Sequence, residues 1–205
     1  MDKDTDMSYN FSNLEQFLQK QPQCGIPNLE LAVAHHGDVV YRRSFGCSDT
    51  EGKRPASPND LYWIFSASKV ITCVAAMRLV EEGRIALSDP VSKYIPEYAS
   101  LTVREADGTL RPAKKAMTVE HLFTMSGGMT YDYGTPAIRE AMEKTPSTLG
   151  IVRAMAKDPL FAEPGEHFRY SLCHDVLAAV VEVASGMRFS EYLCRRWRRC
   201  CRSRY

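Results

Sequence analysis

The chain has 205 residues, of which 44% are hydrophobic and 10% aromatic, and its formal net charge is +1. This composition excludes a wholly disordered chain, and the length suits one domain or a large part of a two-lobed one. No stretch approaches the roughly 18 apolar residues of a membrane-spanning helix. The N-terminus shows no apolar segment of a signal peptide, so the sequence predicts a cytoplasmic protein without a membrane span.

The distribution of charge and cysteine excludes further classes of function. Six arginines lie within the last eleven residues, and removing their charges from the net +1 leaves −5 for the body. A mildly acidic body is a poor surface for nucleic acid, so no nucleic-acid partner is predicted. The seven cysteines are odd in number and irregular in spacing, which indicates free thiols in a reducing compartment. None has zinc-ligand spacing, and we predict neither metal nor cofactor.

The N-terminal part predicts a helix followed by a β-hairpin. Apolar residues recur at helical spacing over residues 11–21, with Ser12 or Asn13 as a possible N-cap. Two alternating apolar runs then flank the turn residues 36–38, which predicts a hairpin over 29–45. Two adjacent histidines at this turn could suggest a metal site, but turn and strand-end positions are the simpler interpretation.

The segment Ser66-Ala67-Ser68-Lys69 ends an apolar, aromatic run and opens a helix. Ser66 and Lys69 would share one face of that helix, about one turn apart. A serine hydroxyl is a weak nucleophile that needs a neighbouring base, and a lysine amine whose charge is disfavoured by burial can act as one. Ser-x-x-Lys therefore suits acyl transfer. The alternative is an N-cap serine beside a solvated first-turn lysine.

Further elements follow the Ser-x-x-Lys segment. The helix after Lys69 is apolar nearly all round as far as Gly83, which predicts a central position in a core. Residues 101–117 are charged and contain Gly and Pro, which indicates a hairpin or a mobile loop. More helices are predicted, one beginning after Thr118 and others at 136–143, 147–157 and 173–184.

Four motifs, in this order, resemble those of serine β-lactamase-like hydrolases, which include class C β-lactamases, D-alanyl-D-alanine carboxypeptidases and related esterases. They lie at residues 65–69, 79–91, 118–128 and 164–171. The resemblance covers roughly residues 13–193 and implies an α+β, β-lactamase/transpeptidase-like fold. The chain would hold the N-terminal helix and hairpin of the sheet lobe and most of the helical lobe, with the C-terminal strands missing.

The resemblance also implies roles for individual residues. Ser66 would be the nucleophile that forms an acyl-enzyme, and its backbone N–H would be one half of the oxyanion hole. Lys69 would share or relay its proton. Tyr170 would pass a proton to the leaving group or activate the hydrolytic water. Because a free tyrosine titrates near about pH 10, Tyr170 would need a nearby cation such as Lys69. The implied substrate is a small-molecule ester or amide, such as a β-lactam, a D-alanyl peptide or a small ester.

Two departures from the family pattern bear on this expectation. Many members place an asparagine two residues after the tyrosine, and here that position is Leu172, which favours esters over β-lactams. His174 and Asp175 could substitute, but roles at the helix start and surface are favoured. Ser171 and Ser68 are not expected to take part. The family's third box, Lys-Thr-Gly or His-x-Gly on a later strand, is absent, which predicts impaired activity.

The C-terminal twelve residues change character abruptly. Residues 1–193 are interpreted as a partial β-lactamase-like domain, and 194–205 as an Arg/Cys-rich tail that is out of frame or disordered. One alternative to the serine hydrolase is a non-catalytic fragment or binding protein on the same scaffold. Another is a nucleic-acid or membrane-surface binder that acts through the arginine tail. The oligomeric state stays open.

Overall fold

A computed structural model describes residues 9–201, with side chains described through residue 196. The chain divides into two compact units, Met1–Trp63 and Ile64–Tyr205. The first unit contains one helix and one β-hairpin, and the second contains six helices and a smaller hairpin across the part of the chain that the structure describes. This mixture of helices with small antiparallel sheets agrees with the α+β class predicted from the sequence.

The first helix, α1 (Ser12–Gln19), lies within the predicted range. Its N-cap is Phe11, which has no side chain that can accept the free N–H groups, so the predicted cap at Ser12 or Asn13 is wrong. The Ser12 hydroxyl donates instead to the side-chain oxygen of Asn10, 2.6 Å away. Leu18 on the opposite end of the helix is buried and anchors it.

The predicted hairpin is confirmed as β1 (Asn28–His35) and β2 (Asp38–Gly46). The strands pair antiparallel from Asn28 opposite Gly46 to His35 opposite Asp38, with one irregularity between Val33 and Ala34. The turn between them has φ of 50° at His36 and 89° at Gly37, and two such positive values match the twist of the flanking strands. The turn interpretation of the two histidines therefore holds.

The second unit is built around α6 (Cys173–Ser185), most of which is buried. Four helices pack against α6: α2 (Ser68–Glu81), α3 (Val119–Phe123), α5 (Thr148–Met155) and α7 (Phe189–Cys201). A further helix, α4 (Pro136–Lys144), packs on α5. Because burying a leucine- or valine-sized side chain stabilises by about 1.5–3 kcal/mol, α6 supplies much of the free energy of folding of this unit.

The helix α2 is apolar nearly all round, yet it is buried on one face only. Thr72, Ala75, Ala76 and Leu79 are buried on that face. The other face exposes apolar side chains: Val70 at 68%, Val74 at 46% and Met77 at 39%. The prediction that this helix is central in a core is therefore wrong for half of its circumference, since α6 packs along the buried face alone.

The sequence of residues 101–117 left a hairpin or a mobile loop open, and the structure shows the hairpin. Its strands are β3 (Thr102–Arg104) and β4 (Leu110–Pro112), paired antiparallel. The chain then enters α3, where the Thr118 hydroxyl oxygen accepts from the His121 N–H and the His121 ring accepts from the Thr118 N–H. This reciprocal pair satisfies two backbone groups and fixes the start of α3.

The last helix continues through the predicted domain boundary at residue 193. Tyr192 on α7 is fully buried and donates to the Ala75 carbonyl of α2 at 3.3 Å, and Arg196 pairs with Glu82 at 2.8 Å. The predicted tail falls partly outside the described residues, and its out-of-frame origin stays a prediction. Between residues 9 and 201, no helix has both the length and the apolar character needed to cross a membrane.

Candidate active site

The backbone bends sharply where the chain enters α2. Ser66 is the middle residue of a 3₁₀ turn, Phe65–Ala67, that leads directly into α2. Phe65 has a φ of 43°, which is in the left-handed region that side chains with a Cβ rarely adopt. Its carbonyl accepts a hydrogen bond from the Ser68 hydroxyl, which helps to hold this conformation. Strained backbone of this kind is concentrated at functional sites.

The structure brings together the three side chains predicted from the sequence. The Tyr170 hydroxyl lies 2.5 Å from Ser66 Oγ, and the Lys69 ammonium lies 3.5 Å from the same oxygen. Ser66 and Lys69 are one turn apart near the start of α2, as the spacing predicts. Tyr170 comes from the loop just before α6. Side chains from two distant parts of the chain therefore contact the same oxygen atom, Ser66 Oγ.

Backbone hydrogen bonds hold the loop that carries Tyr170. The Gly165 N–H donates to the Ser126 carbonyl at 2.7 Å, and the Arg169 N–H donates to the Met125 carbonyl at 3.0 Å. Gly165 has a φ of 87°, and a Cβ there would lie 2.8 Å from the His121 ring nitrogen. The Pro-Gly segment predicted as a loop thus fits closely against the Ser-Gly turn after α3.

Glu163 anchors the start of the same loop. Its side chain is buried and accepts from the Arg111 guanidinium and from the backbone N–H groups of Lys114 and Lys115. Burial alone would raise the pKa of this carboxyl, but the hydrogen bonds outweigh burial and hold the pKa below its usual value. The paired charge therefore stays ionised in the interior near neutral pH.

The electrostatics favour a charged Lys69 beside an acidified Tyr170. Partial burial would lower the pKa of Lys69, but its interactions with Tyr170, Tyr131 and Asp175 outweigh burial and raise the pKa above its usual value. Hydrogen bonds with Ser66 and Lys69 lower the pKa of Tyr170. This balance favours the ammonium form of Lys69 beside the phenol, and the role of Lys69 as a neutral base stays a prediction.

The other polar residues near the motifs have structural partners. Ser171 is fully buried and donates to the Cys173 sulfur at 3.1 Å, and the Ser68 hydroxyl bonds to the backbone. Leu172 is buried in the core with 2% of its surface exposed. His174 is also buried, and its ring contacts the Phe123 carbonyl at 3.3 Å. The predicted position of His174 at the start of a helix is confirmed, but its predicted surface position is wrong, because the side chain is buried.

Sequence reasoning missed two aromatic residues at this site, Tyr131 and Tyr133. The Tyr131 ring lies 5.2 Å from the Tyr170 ring and 5.4 Å from the Lys69 ammonium. The Tyr133 hydroxyl donates to Asp175 at 2.9 Å. A signal was available, because the two tyrosines flank Asp132 only a few residues after the Ser126-Gly127-Gly128 turn.

The arrangement is suited to organic acid–base chemistry on a bound carbonyl compound. Ser66 Oγ is the candidate nucleophile, and its N–H lies at the N-terminal end of α2, where the helix dipole favours negative charge. Across residues 9–196, whose side chains the structure describes, no group of three or more His, Cys, Asp or Glu side chains is arranged to hold a metal ion.

Comparison with protein families covers almost the whole chain. The family model described as Beta-lactamase matches residues 12–199. The chain therefore belongs to the Beta-lactamase family, and the resemblance drawn from four short motifs is confirmed.

Curated relatives include an esterase. The chain is 36% identical over 163 residues to esterase EstB of Burkholderia gladioli, covering 75% of this chain and 40% of EstB. It is 26% identical over 187 residues to protein flp of Staphylococcus aureus strain N315, covering 90% of this chain and 35% of flp. The chain thus spans two fifths or less of the length of these two relatives.

Solved structures confirm the β-lactamase/transpeptidase-like fold. EstCE1, a hydrolase with promiscuous acyltransferase activity, is 27% identical with a TM-score of 0.77, covering 93% of this chain and 51% of EstCE1. The octameric penicillin-binding protein homologue from Pyrococcus abyssi is 28% identical with a TM-score of 0.72, covering 93% of this chain and 43% of that chain. The predicted fold class is therefore correct, and the matched region is about half or less of each neighbour.

Proposed function

We propose that this chain is part of a serine hydrolase that forms an acyl-enzyme on Ser66 from a small carboxylic ester. The observation that carries the proposal is the contact of one oxygen, Ser66 Oγ, with two groups that handle protons. These are the Tyr170 hydroxyl at 2.5 Å and the Lys69 ammonium at 3.5 Å. A serine held in this way has the adjacent base that a nucleophilic hydroxyl requires.

In acylation, the Tyr170 phenolate accepts the proton of Ser66 as Oγ bonds to the ester carbonyl carbon. The carbonyl oxygen takes up the negative charge near the Ser66 N–H at the start of α2. The tetrahedral intermediate then collapses, the bond to the alcohol oxygen breaks, and the alcohol leaves with the proton from Tyr170. The products are an ester of Ser66 and a regenerated phenolate.

Deacylation repeats these steps with water in place of the serine. A water molecule gives its proton to the Tyr170 phenolate as its oxygen bonds to the acyl carbon. The bond from that carbon to Ser66 Oγ then breaks, and Oγ recovers the proton from Tyr170. Lys69 stays charged throughout and stabilises the phenolate, which agrees with the raised pKa of its ammonium.

The proposed preference for esters follows from the position two residues after Tyr170. Leu172 there is 2% exposed within the core, so its side chain supplies no hydrogen bond to a substrate amide. An ester needs no such partner on its acyl side. The similarity to esterase EstB, at 36% identity, supports the same preference.

Covalent labelling tests the proposal. The purified chain is treated with a fluorophosphonate probe, and the modified residue is located by mass spectrometry of its peptides. We expect a single label on Ser66, no label in Ser66→Ala, and labelling at least about 100-fold slower in Tyr170→Phe, which lacks the base. Ser88→Ala, which removes an exposed hydroxyl elsewhere, is the matched control and should react like the parent.

Two outcomes would contradict the proposal. A folded chain that does not react, or that reacts equally in Ser66→Ala, would favour the non-catalytic scaffold. The choice of substrate is tested on the same preparation with a nitrophenyl ester beside a chromogenic cephalosporin. Faster turnover of the cephalosporin would refute the ester preference while leaving Ser66 as the nucleophile.

A further inference from the structure

A lysine side chain near a catalytic hydroxyl needs something to keep it there. Its stem has four flexible carbons, and restricting such a stem costs up to about 2 kcal/mol of conformational entropy. The contact between the Lys69 ammonium and Ser66 Oγ is long, at 3.5 Å, and contributes little restraint. The position of Lys69 therefore depends on other neighbours as well, and the Tyr170 hydroxyl, which is hydrogen-bonded to the ammonium, restrains it from one side only.

Two aromatic rings provide that restraint. The Lys69 ammonium lies 4.9 Å from the centre of the Tyr170 ring and 5.4 Å from the centre of the Tyr131 ring. Both distances are within the roughly 6 Å over which a ring face attracts a cation. The two rings are 5.2 Å apart with planes tilted by 40°, so the ammonium contacts a pair of mutually packed rings.

The Tyr131 ring is itself held by a short chain of contacts. It is 47% exposed, so burial does not fix its orientation. The Tyr133 ring meets it edge-on at 5.9 Å, and the Tyr133 hydroxyl donates to Asp175 at 2.9 Å. Asp175 lies in the first turn of α6, which is the most buried helix of this unit. The loop that carries both tyrosines is therefore tied to the core.

We propose that Tyr131 is a positioning residue that holds the Lys69 ammonium beside Tyr170, an inference that rests on the proposed function of this site. Tyr131 touches neither Ser66 nor the reacting atoms in this role. It acts through Lys69, by keeping the charge where it stabilises the Tyr170 phenolate. Nothing in the Ser-x-x-Lys pattern or in the tyrosine box indicates this residue.

The titratable groups that face Lys69 come from three elements. Tyr131, Tyr170 and Asp175 each raise the pKa of Lys69. Buried His174 has its own pKa lowered, first by burial and further by the Lys69 charge, although the Phe123 carbonyl opposes this. His174 is therefore neutral near pH 7 and does not compete for the role of cation at the site.

Titration of Tyr170 tests the role of Tyr131 without any need for turnover. The chain is labelled with ¹³C at the Cζ carbon of tyrosine, the Tyr170 signal is assigned by its loss in Tyr170→Phe, and its shift is followed against pH by NMR. In Tyr131→Leu we expect the pKa of Tyr170 to rise by about half a pH unit, as the ammonium leaves its place more often. Tyr131→Phe keeps the ring and should restore the parent value.

Matched variants separate this role from general damage to the site. Phe168→Leu removes an exposed aromatic ring two residues before Tyr170 and should leave the titration unchanged. In a Lys69→Met background, Tyr131→Leu should have no further effect, because the ring acts through the ammonium. If Tyr131→Leu does not fold, Tyr131→Met provides a second side chain without a ring.

An unchanged pKa of Tyr170 in Tyr131→Leu would overturn the inference, and so would an equal rise in the Lys69→Met background. Failure of the proposed function has a different signature. The hydrolase proposal would be refuted if the fluorophosphonate did not label the folded parent chain. If Tyr131→Leu nevertheless shifted the Tyr170 titration as expected, the role of Tyr131 would still stand.

Discussion

The hydroxyl of Tyr170 and Oγ of Ser66 lie 2.5 Å apart although 104 residues separate them in the sequence. Both positions are set by backbone rather than by long side-chain networks. Ser66 follows a left-handed residue at the start of α2, and Tyr170 ends a loop bonded to the turn after α3. The distance between the two oxygens therefore depends on how α2, α3 and the tyrosine loop pack together.

The charge on Lys69 should set the pH dependence of labelling. Hydrogen bonds with Ser66 and Lys69 lower the pKa of Tyr170, so fluorophosphonate labelling should increase with pH as the phenolate forms. Removing the ammonium in Lys69→Met should raise the pKa of Tyr170 and move this limb of the profile to higher pH. Rates measured across the pH range check this expectation. Lys144→Met, which removes a surface ammonium on α4, should leave the profile in place.

Substitutions of Phe65, the left-handed residue before Ser66, should differ in their effect on stability. Phe65 is 80% exposed, so its removal costs little burial. Phe65→Gly should change the free energy of unfolding by less than about 1 kcal/mol, since glycine adopts positive φ freely but is more disordered when unfolded. Phe65→Val should lose about 1–3 kcal/mol, because a β-branched residue resists this conformation. Urea denaturation compares the two, and equal stabilities would argue against backbone strain at this turn.

The buried carboxyl at Glu163 should make the protein sensitive to acid. Its folded-state pKa is depressed, so it contributes stability above the unfolded pKa, and that contribution is lost as pH falls below the usual value of 4.5. Glu163→Gln should cost about 1.5–3 kcal/mol at pH 7 and flatten the decline in stability under acid. Thermal melts from pH 7 downward measure both effects.

The control for Glu163 lies three residues further on. Glu166 is exposed and its oxygen is 3.9 Å from the Lys115 ammonium. Surface pairs of this kind contribute little, so Glu166→Gln should change stability by less than about 1 kcal/mol. A loss as large as that of Glu163→Gln would show that charge, rather than burial, dominates this segment.

The two faces of α2 should respond differently to substitution. Leu79 is fully buried, and Leu79→Ala should cost about 2–5 kcal/mol through lost burial and the remaining cavity. Val70 is 68% exposed on the other face, and Val70→Lys should change stability by less than about 1 kcal/mol while reducing binding of the dye ANS. A large loss in Val70→Lys would indicate that this face is covered in solution.

The sequence predicts the nucleophile and its two partners because each lies in a short local pattern. Ser66 and Lys69 are related by helical spacing, and Tyr170 follows a Pro-Gly loop typical of the family. The charge on Lys69 could not be predicted in this way. It depends on the balance between burial and the neighbouring Tyr131 and Asp175, which are 62 and 106 residues further along the chain.

Other errors have similar causes. Ser12 carries the correct side chain for an N-cap, but the helix begins one residue earlier than expected, so Phe11 takes the cap position. The burial of α2 also depends on how much of its surface finds a partner, and residue pattern alone gives only its apolar character. His174 resembles a surface residue by type, but the position of α6 in the core buries it.

The loop that delivers Tyr170 is fastened by main-chain atoms, with the Gly165 N–H on Ser126 and the Arg169 N–H on Met125. Between these two attachment points, residues 166–168 are exposed and free to differ in chemistry. We therefore expect that their side chains can be exchanged in a combinatorial library without moving the Tyr170 hydroxyl. The position of the Tyr170 hydroxyl and the chemistry of the exposed side chains at residues 166–168 can therefore be varied independently. Protein engineers usually have to give up one of these properties to change the other.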